Sequence, residues 1–250
     1  MNRLSRLSCL VTALLLALAA ACSDDGDETT TAASPTTSGG AGSAEDAGCA
    51  DAGPDASDDD SAGVGEIVDV DGDGTADTAW LTGDANGTRE LGVATAAGGG
   101  DVVTIPSASP GPLTVLAAEA DGAAPVELFV SDGRTVQLWA FADCALRPVT
   151  DGEGEPYVFD LGLAGTGTGA GCVDVGGGRE LVGLNITDDD GATVEWSRTV
   201  VEREGLTATN GETETGELHQ PEDADAIELL HTVSCGDMTI DEDGITQPET

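Results

Sequence analysis

The chain has 250 residues, with 48 Asp or Glu against 8 Lys or Arg, giving a formal net charge of −40. All eight basic residues are arginines, which excludes Lys-dependent Schiff-base and phosphate chemistry, and a surface of this sign repels nucleic-acid phosphates and anionic lipid alike. Aromatic content of 3% beside 36 glycines predicts a light, turn-rich fold with little bulky core.

Residues 1–22 read MNRLSRLSCLVTALLLALAAAC. Arg3 and Arg6 precede an apolar run over 7–20 that is too short to span a bilayer comfortably. Ala19, Ala20 and Ala21 then lead into Cys22 and an acidic stretch. The arrangement resembles a bacterial lipoprotein signal, which implies removal of 1–21, acylation of Cys22 and anchorage at the outer face of the cell membrane. It departs from that pattern at Ala19, where Leu is usual. Ordinary secretory cleavage after Ala20 or Ala21, leaving Cys22 as a thiol, is the other reading. If Cys9 leaves with the signal and Cys22 takes lipid, Cys49, Cys144, Cys172 and Cys235 remain, an even set that suits two disulfides in an exported protein.

Residues 22–62 form an acidic linker. Beyond Cys22 it holds no Val, Ile, Leu or aromatic residue, so it buries too little apolar surface to offset the entropy of ordering and is expected to be a disordered tether. Its r.m.s. reach is roughly 35 Å for about 40 residues. Cys49 lies inside it and needs a partner in the domain that follows.

From 63 to 250 short apolar runs of period two alternate with Gly- and Asp-rich turns, predicting an all-β domain without an amphipathic helix. Three hairpins are expected: 77–82 with 88–93 around Asn86-Gly87, 126–130 with 135–139 around Asp132-Gly133, and 181–186 with 192–196 around Asp190-Gly191. Asn-Gly and Asp-Gly supply the positive φ angles of tight hairpin turns. A further hairpin, AIELLHTV (226–233) with DMTI (237–240), is expected near the C-terminus. Each of the first three hairpins follows a related nine-residue stretch opening at Asp69, Glu119 or Cys172. Its third place is Asp71, Asp121 or Asp174 and its ninth is Asp77, Glu127 or Glu180. A repeat of about 50 residues carrying several strands predicts propeller-type blades, three to four in number. Chance similarity between acidic turns in so acidic a chain is the alternative.

The first of these stretches, DVDGDGTAD, carries chemistry. Asp69, Asp71, Asp73 and Asp77 offer alternate carboxylates along a tight loop, Gly74 permits the bend, and the Thr75 carbonyl can add a main-chain oxygen. Ca²⁺ takes six to eight hard oxygens at about 2.3–2.6 Å. An EF-hand is excluded, because Trp80 stands where its Glu would be and the flanks read as strands. On this motif the region 64–206 resembles the FG-GAP/VCBS repeat family of β-propellers. That resemblance implies Ca²⁺ held between adjacent strands by Asp69, Asp71, Asp73, Asp77 and the Thr75 carbonyl. The second stretch departs with Glu119 and Ala123 and the third with Cys172 and Gly176, so neither is expected to hold an ion well. Structural calcium is favoured over a calcium-sensing or adhesive role.

Four cysteines allow three pairings. The expected one is Cys144–Cys172, stapling consecutive repeats, with Cys49–Cys235 joining the ends of the domain; zinc is not expected, for want of a CxxC spacing. His231 falls in an apolar strand and His219 in a polar loop, and neither is expected to be catalytic. GTGTGAG (165–171) opens no helix and is followed by no Lys, which argues against a phosphate loop. Trp80, Trp139 and Trp196 fall on the repeats' hairpins and read as packing residues. The functional expectation is a lipid-anchored surface protein, a non-enzymatic binding module with an unknown surface ligand or protein partner. The alternative is a secreted hydrolase, or a subunit of one, on the same scaffold.

Overall fold

The computed structural model describes residues 48–50, 53–54, 62–83, 87–106, 109–120, 125–162, 168–175, 178–189 and 191–248. The expected leader, Cys9, Cys22 and nearly all of 22–62 lie outside the described residues, as do Asn86, Asp121, Ala123, Gly165, Gly176 and Asp190. Among the described residues the fold is all-β apart from two short helices, and its strands form three sheets, none closed on itself. No helix among them is long and apolar enough to cross a membrane.

The first sheet is an antiparallel run in chain order of β1 (Gly63–Ile67), β2 (Asp77–Gly83), β3 (Arg89–Ala94) and β4 (Gly100–Thr104). The second repeats that course with β5 (Thr114–Ala118), β6 (Glu127–Ser131), β7 (Thr135–Ala142) and β8 (Ala145–Pro148). Two short strands join it: β9 (Val158–Asp160) pairs with β7, and β16 (Ile245–Thr246) pairs with β5. The third holds β10 (Thr168–Val175), β11 (Gly178–Asp189), β12 (Thr193–Glu204) and β13 (Thr207–His219). Beyond β10 it is extended by β14 (Val233–Cys235), which runs parallel, and by β15 (Met238–Thr239). All three expected hairpins form, with Leu81 opposite Leu91, Ser131 opposite Val136 and Asp189 opposite Val194.

The period-two pattern decides where each side chain goes. In the second sheet Val115, Ala117, Leu128, Val130, Trp139 and Phe141 enter a core shared with Ala79, Leu81, Leu91 and Val93 of the first sheet. Their neighbours Leu116, Ala118, Phe129, Leu138 and Ala140 enter another core, shared with Ala170, Cys172, Leu181, Val201 and Ala208 of the third. The middle sheet is thus covered on both faces, which is why β6 reads ELFVS, with every residue buried, rather than as an apolar–polar alternation. Trp80 and Trp139 are buried, as packing residues should be. Trp80 lies over Gly92, directly opposite on β3, where a Cβ would come 2.0 Å from the indole.

Two expectations on the C-terminal region are corrected. The segment 226–233 is not a strand: α1 (Ala224–Leu229) occupies its start, and only Val233 enters β14. Ile227 and Leu230, one helical turn apart, pack against Val182, Leu184 and Val194 on the outer face of the third sheet. A second helix, α2 (Ile240–Asp243), follows β15, capped by the Thr239 hydroxyl accepting from Glu242 N. His231 therefore sits exposed just beyond α1, whereas His219 ends β13, with Nδ1 3.4 Å from Thr193 Oγ1.

The cysteine pairing also differs from expectation. All four domain cysteines are bridged, but as Cys49–Cys144 and Cys172–Cys235. Cys172 and Cys235 face each other in the parallel β10–β14 register, and a parallel pairing between strands so distant in the chain leaves no local sequence signal. Gly171, the last residue of GTGTGAG, serves the same contact. At Gly171 a Cβ would lie 1.6 Å from Ser234 O, so the approach of β14 requires its absence. Cys49 is buried against the first sheet rather than held in a tether, and reaches Cys144 in the β7–β8 turn.

Candidate metal centre

The loop 68–76 leaves β1 at Ile67 and rejoins it opposite Asp77. Gly72 (φ +78°) and Gly74 (φ +85°) give it two left-handed bends with open space around both, so the need for glycine here is conformational. These bends turn successive N–H groups inward. Asp69 accepts from Gly72 N at 2.8 Å, Asp73 N at 3.2 Å and Gly74 N at 2.7 Å. Asp71 accepts from Asp73 N at 3.3 Å and, across the fold, from Cys49 N at 2.6 Å. Asp77, at 1% exposure, accepts from Val70 N at 2.7 Å and Ala96 N at 2.8 Å.

Carboxylate oxygens of Asp69, Asp71 and Asp77 all lie within 4.8 Å of one another. Two ligands of a shared ion with bonds of 2.3–2.6 Å stand at most about 5 Å apart, so this spacing and the all-oxygen donor set fit a hard cation such as Ca²⁺. Three of the four predicted carboxylates are therefore brought together. Asp73 is turned onto the backbone, accepting from Thr75 N at 2.7 Å, and Thr75 is exposed in the same turn.

The electrostatics of the trio are uneven. For Asp77, burial pushes the carboxyl above its ordinary value and the nearby charges of Asp71 and Asp69 add to that rise, while its two backbone donors oppose it. For Asp69, partial burial also pushes upward, but its three backbone donors outweigh it and the carboxyl is held below its ordinary value.

The second of the nine-residue stretches is built differently. Glu127 takes the place of Asp77 and, fully buried, accepts from Ala120 N at 3.0 Å across the same seven-residue span as Asp77 and Val70. Its other oxygen lies 2.7 Å from Nε of Arg203 on β12, an ion pair with both side chains buried. The contact lacks the geometry of a linear hydrogen bond and acts through charge. Sequence reasoning marked Glu127 as a repeat position but carried no sign of Arg203, which comes from the neighbouring sheet. In the third stretch Cys172 and Glu180 lie within the β10–β11 hairpin, and Asp174 pairs with Arg179 at the surface. A positive group thus sits on the ninth-place carboxylate of the second stretch, where the first has a cluster of carboxylates.

No protein-family model, no curated protein and no solved structure matches this chain.

Proposed function

We propose that this chain is an exported lipoprotein, anchored through Cys22, whose three stacked four-stranded runs are propeller-type blades, with a structural Ca²⁺ in the first. It acts as a non-enzymatic binding module on the outer face of the membrane. The observation that carries the metal reading is the convergence of Asp69, Asp71 and Asp77 within 4.8 Å. The arginine seated at the equivalent acidic place of the second repeat supports it. Asp73 and the Thr75 carbonyl complete the ligand set that the repeat resemblance implies. Two disulfides are compatible with export.

The ion neutralises three carboxylates that otherwise repel one another and ties the β1–β2 connection shut. At a dissociation constant of about 10⁻⁴ M and about 10 mM Ca²⁺, binding stabilises the fold by about 2.7 kcal/mol. Asp71→Asn keeps an acceptor for Cys49 N–H while removing the charge. The variant is expected to melt well below the wild type in Ca²⁺ and close to it in EDTA. Equal melting in Ca²⁺ would refute the site.

Acidification supplies a second test. A carboxyl raised by folding contributes stability that is fully present below its unfolded value and lost as pH rises through the folded one, so the metal-free protein is burdened by Asp77 at neutral pH. Protons therefore compete with Ca²⁺ at Asp77 from a higher pH than at an ordinary carboxylate. The gain in melting temperature on adding Ca²⁺ is expected to shrink as pH falls from 7, before exposed carboxylates begin to titrate. A gain that stays constant down to about pH 4, the ordinary Asp range, would contradict this.

A further inference from the structure

We infer that the Cys49–Cys144 disulfide belongs to the cation site, as the latch that positions Asp71. The inference rests on the metal reading above and assigns that site a control beyond its ligands.

Of the three converging carboxylates, Asp69 is oriented by its own loop and Asp77 by Val70 and Ala96. Asp71 differs, because its 2.6 Å hydrogen bond comes from Cys49, 22 residues upstream. Cys49 is held at three points. Its side chain is bridged to Cys144, its carbonyl accepts from the Thr95 hydroxyl at 3.0 Å, and Gly99 packs so tightly on it that a Cβ there would lie 2.1 Å from Cys49 O. The Thr95–Gly99 turn also carries Ala96, the donor to Asp77, so one turn organises two of the three carboxylates. Gly48 turns the segment onto the loop at φ +55°, with its missing Cβ only 2.8 Å from Asp71 Oδ2. Cys144 is anchored on the neighbouring sheet in a tight turn, where both Asp143 (φ 52°) and Cys144 (φ 58°) adopt the left-handed conformation. Without the bridge, nothing covalent holds 48–50 against the loop, and the Asp71 carboxylate loses the donor that aims it. Groups that orient metal ligands in this way commonly change affinity by about 10–100-fold when removed.

The test is Ca²⁺ titration by calorimetry on the full chain, comparing wild type with Cys49→Ser/Cys144→Ser and with Cys172→Ser/Cys235→Ser. The first double variant is expected to bind at least about tenfold more weakly. The second loses a bridge within the third sheet that holds none of the donors to the three carboxylates, and keeps wild-type affinity. Unchanged affinity in the first, or equal loss in both, overturns the inference while leaving the metal site standing. A wild type that takes up no Ca²⁺ overturns the metal reading and this inference with it. Thr95→Val and Thr95→Ser give a check that leaves both disulfides intact: Val is expected to weaken binding, and Ser, which keeps the hydroxyl, to restore it. In metal-free protein, hydrogen exchange at the residue-49 and Asp73 amides, the donors to Asp71, is expected to speed up in the Cys49→Ser/Cys144→Ser variant alone. Unaltered protection there counts against the latch whether or not an ion binds.

Discussion

Arg203→Met is expected to cost about 3–5 kcal/mol of folding free energy, since removing one member of a buried ion pair leaves the other charged and unsolvated. Arg203 is 4% exposed and Glu127 fully buried, so water cannot rescue the carboxylate. The pair also joins β6 of the second sheet to β12 of the third, so the loss falls on an inter-sheet contact. A companion measurement separates charge from packing. Adding Glu127→Gln to Arg203→Met removes the stranded charge while leaving an acceptor for Ala120 N, and is expected to recover much of the stability. A urea-unfolding loss below about 1 kcal/mol at neutral pH, a typical figure for an exposed pair, would contradict the assignment.

Cys172→Ser/Cys235→Ser is expected to be comparably severe. The bridge spans a sequence separation of 63, for which the loop-entropy model gives about 4 kcal/mol at 25 °C. Within that loop lie β11, β12, β13 and α1, while β14 meets β10 through only three paired positions. So short a parallel pairing has little strength of its own. The variant should therefore lose β14 from the sheet, seen as rapid exchange at Val233 and Ser234 and a lowered denaturation midpoint. Wild-type stability would show that the close packing of Gly171 on Ser234 suffices without the covalent link.

Local chemistry made much of this fold legible. Gly87, Asp132-Gly133 and Gly191 mark the three hairpins because each glycine supplies a positive φ that the turn cannot do without. The β7–β8 turn escaped notice because Asp143 and Cys144 fill positions where glycine would have announced it. Over 226–233, a run too short for helical periodicity resembles a strand; only its packing on the third sheet makes it helix. The acidic loop was readable because its ligands sit within nine residues. Its supports were not, because Cys49 and Ala96 reach it from elsewhere through backbone N–H groups, which leave no trace in composition, and the Thr95 hydroxyl acts only through the Cys49 carbonyl. The disulfide pairing failed for a related reason: nearness along the chain says little about which sheets stack.

The strand β16 bears on how such a chain acquires its shape. Ile245 and Thr246 pair with β5 and crowd against β1, while the buried Gln247 exchanges hydrogen bonds with Leu113 across 134 residues. Closing so long a loop is entropically slow, and its contacts form only once it has closed. Each antiparallel run can assemble early from neighbouring strands, but the seam between the first two cannot be sealed until residues 245–247 arrive. The rate-limiting event of folding should thus be the docking of this tail, and until then mutual repulsion among the acidic side chains keeps partly assembled chains apart.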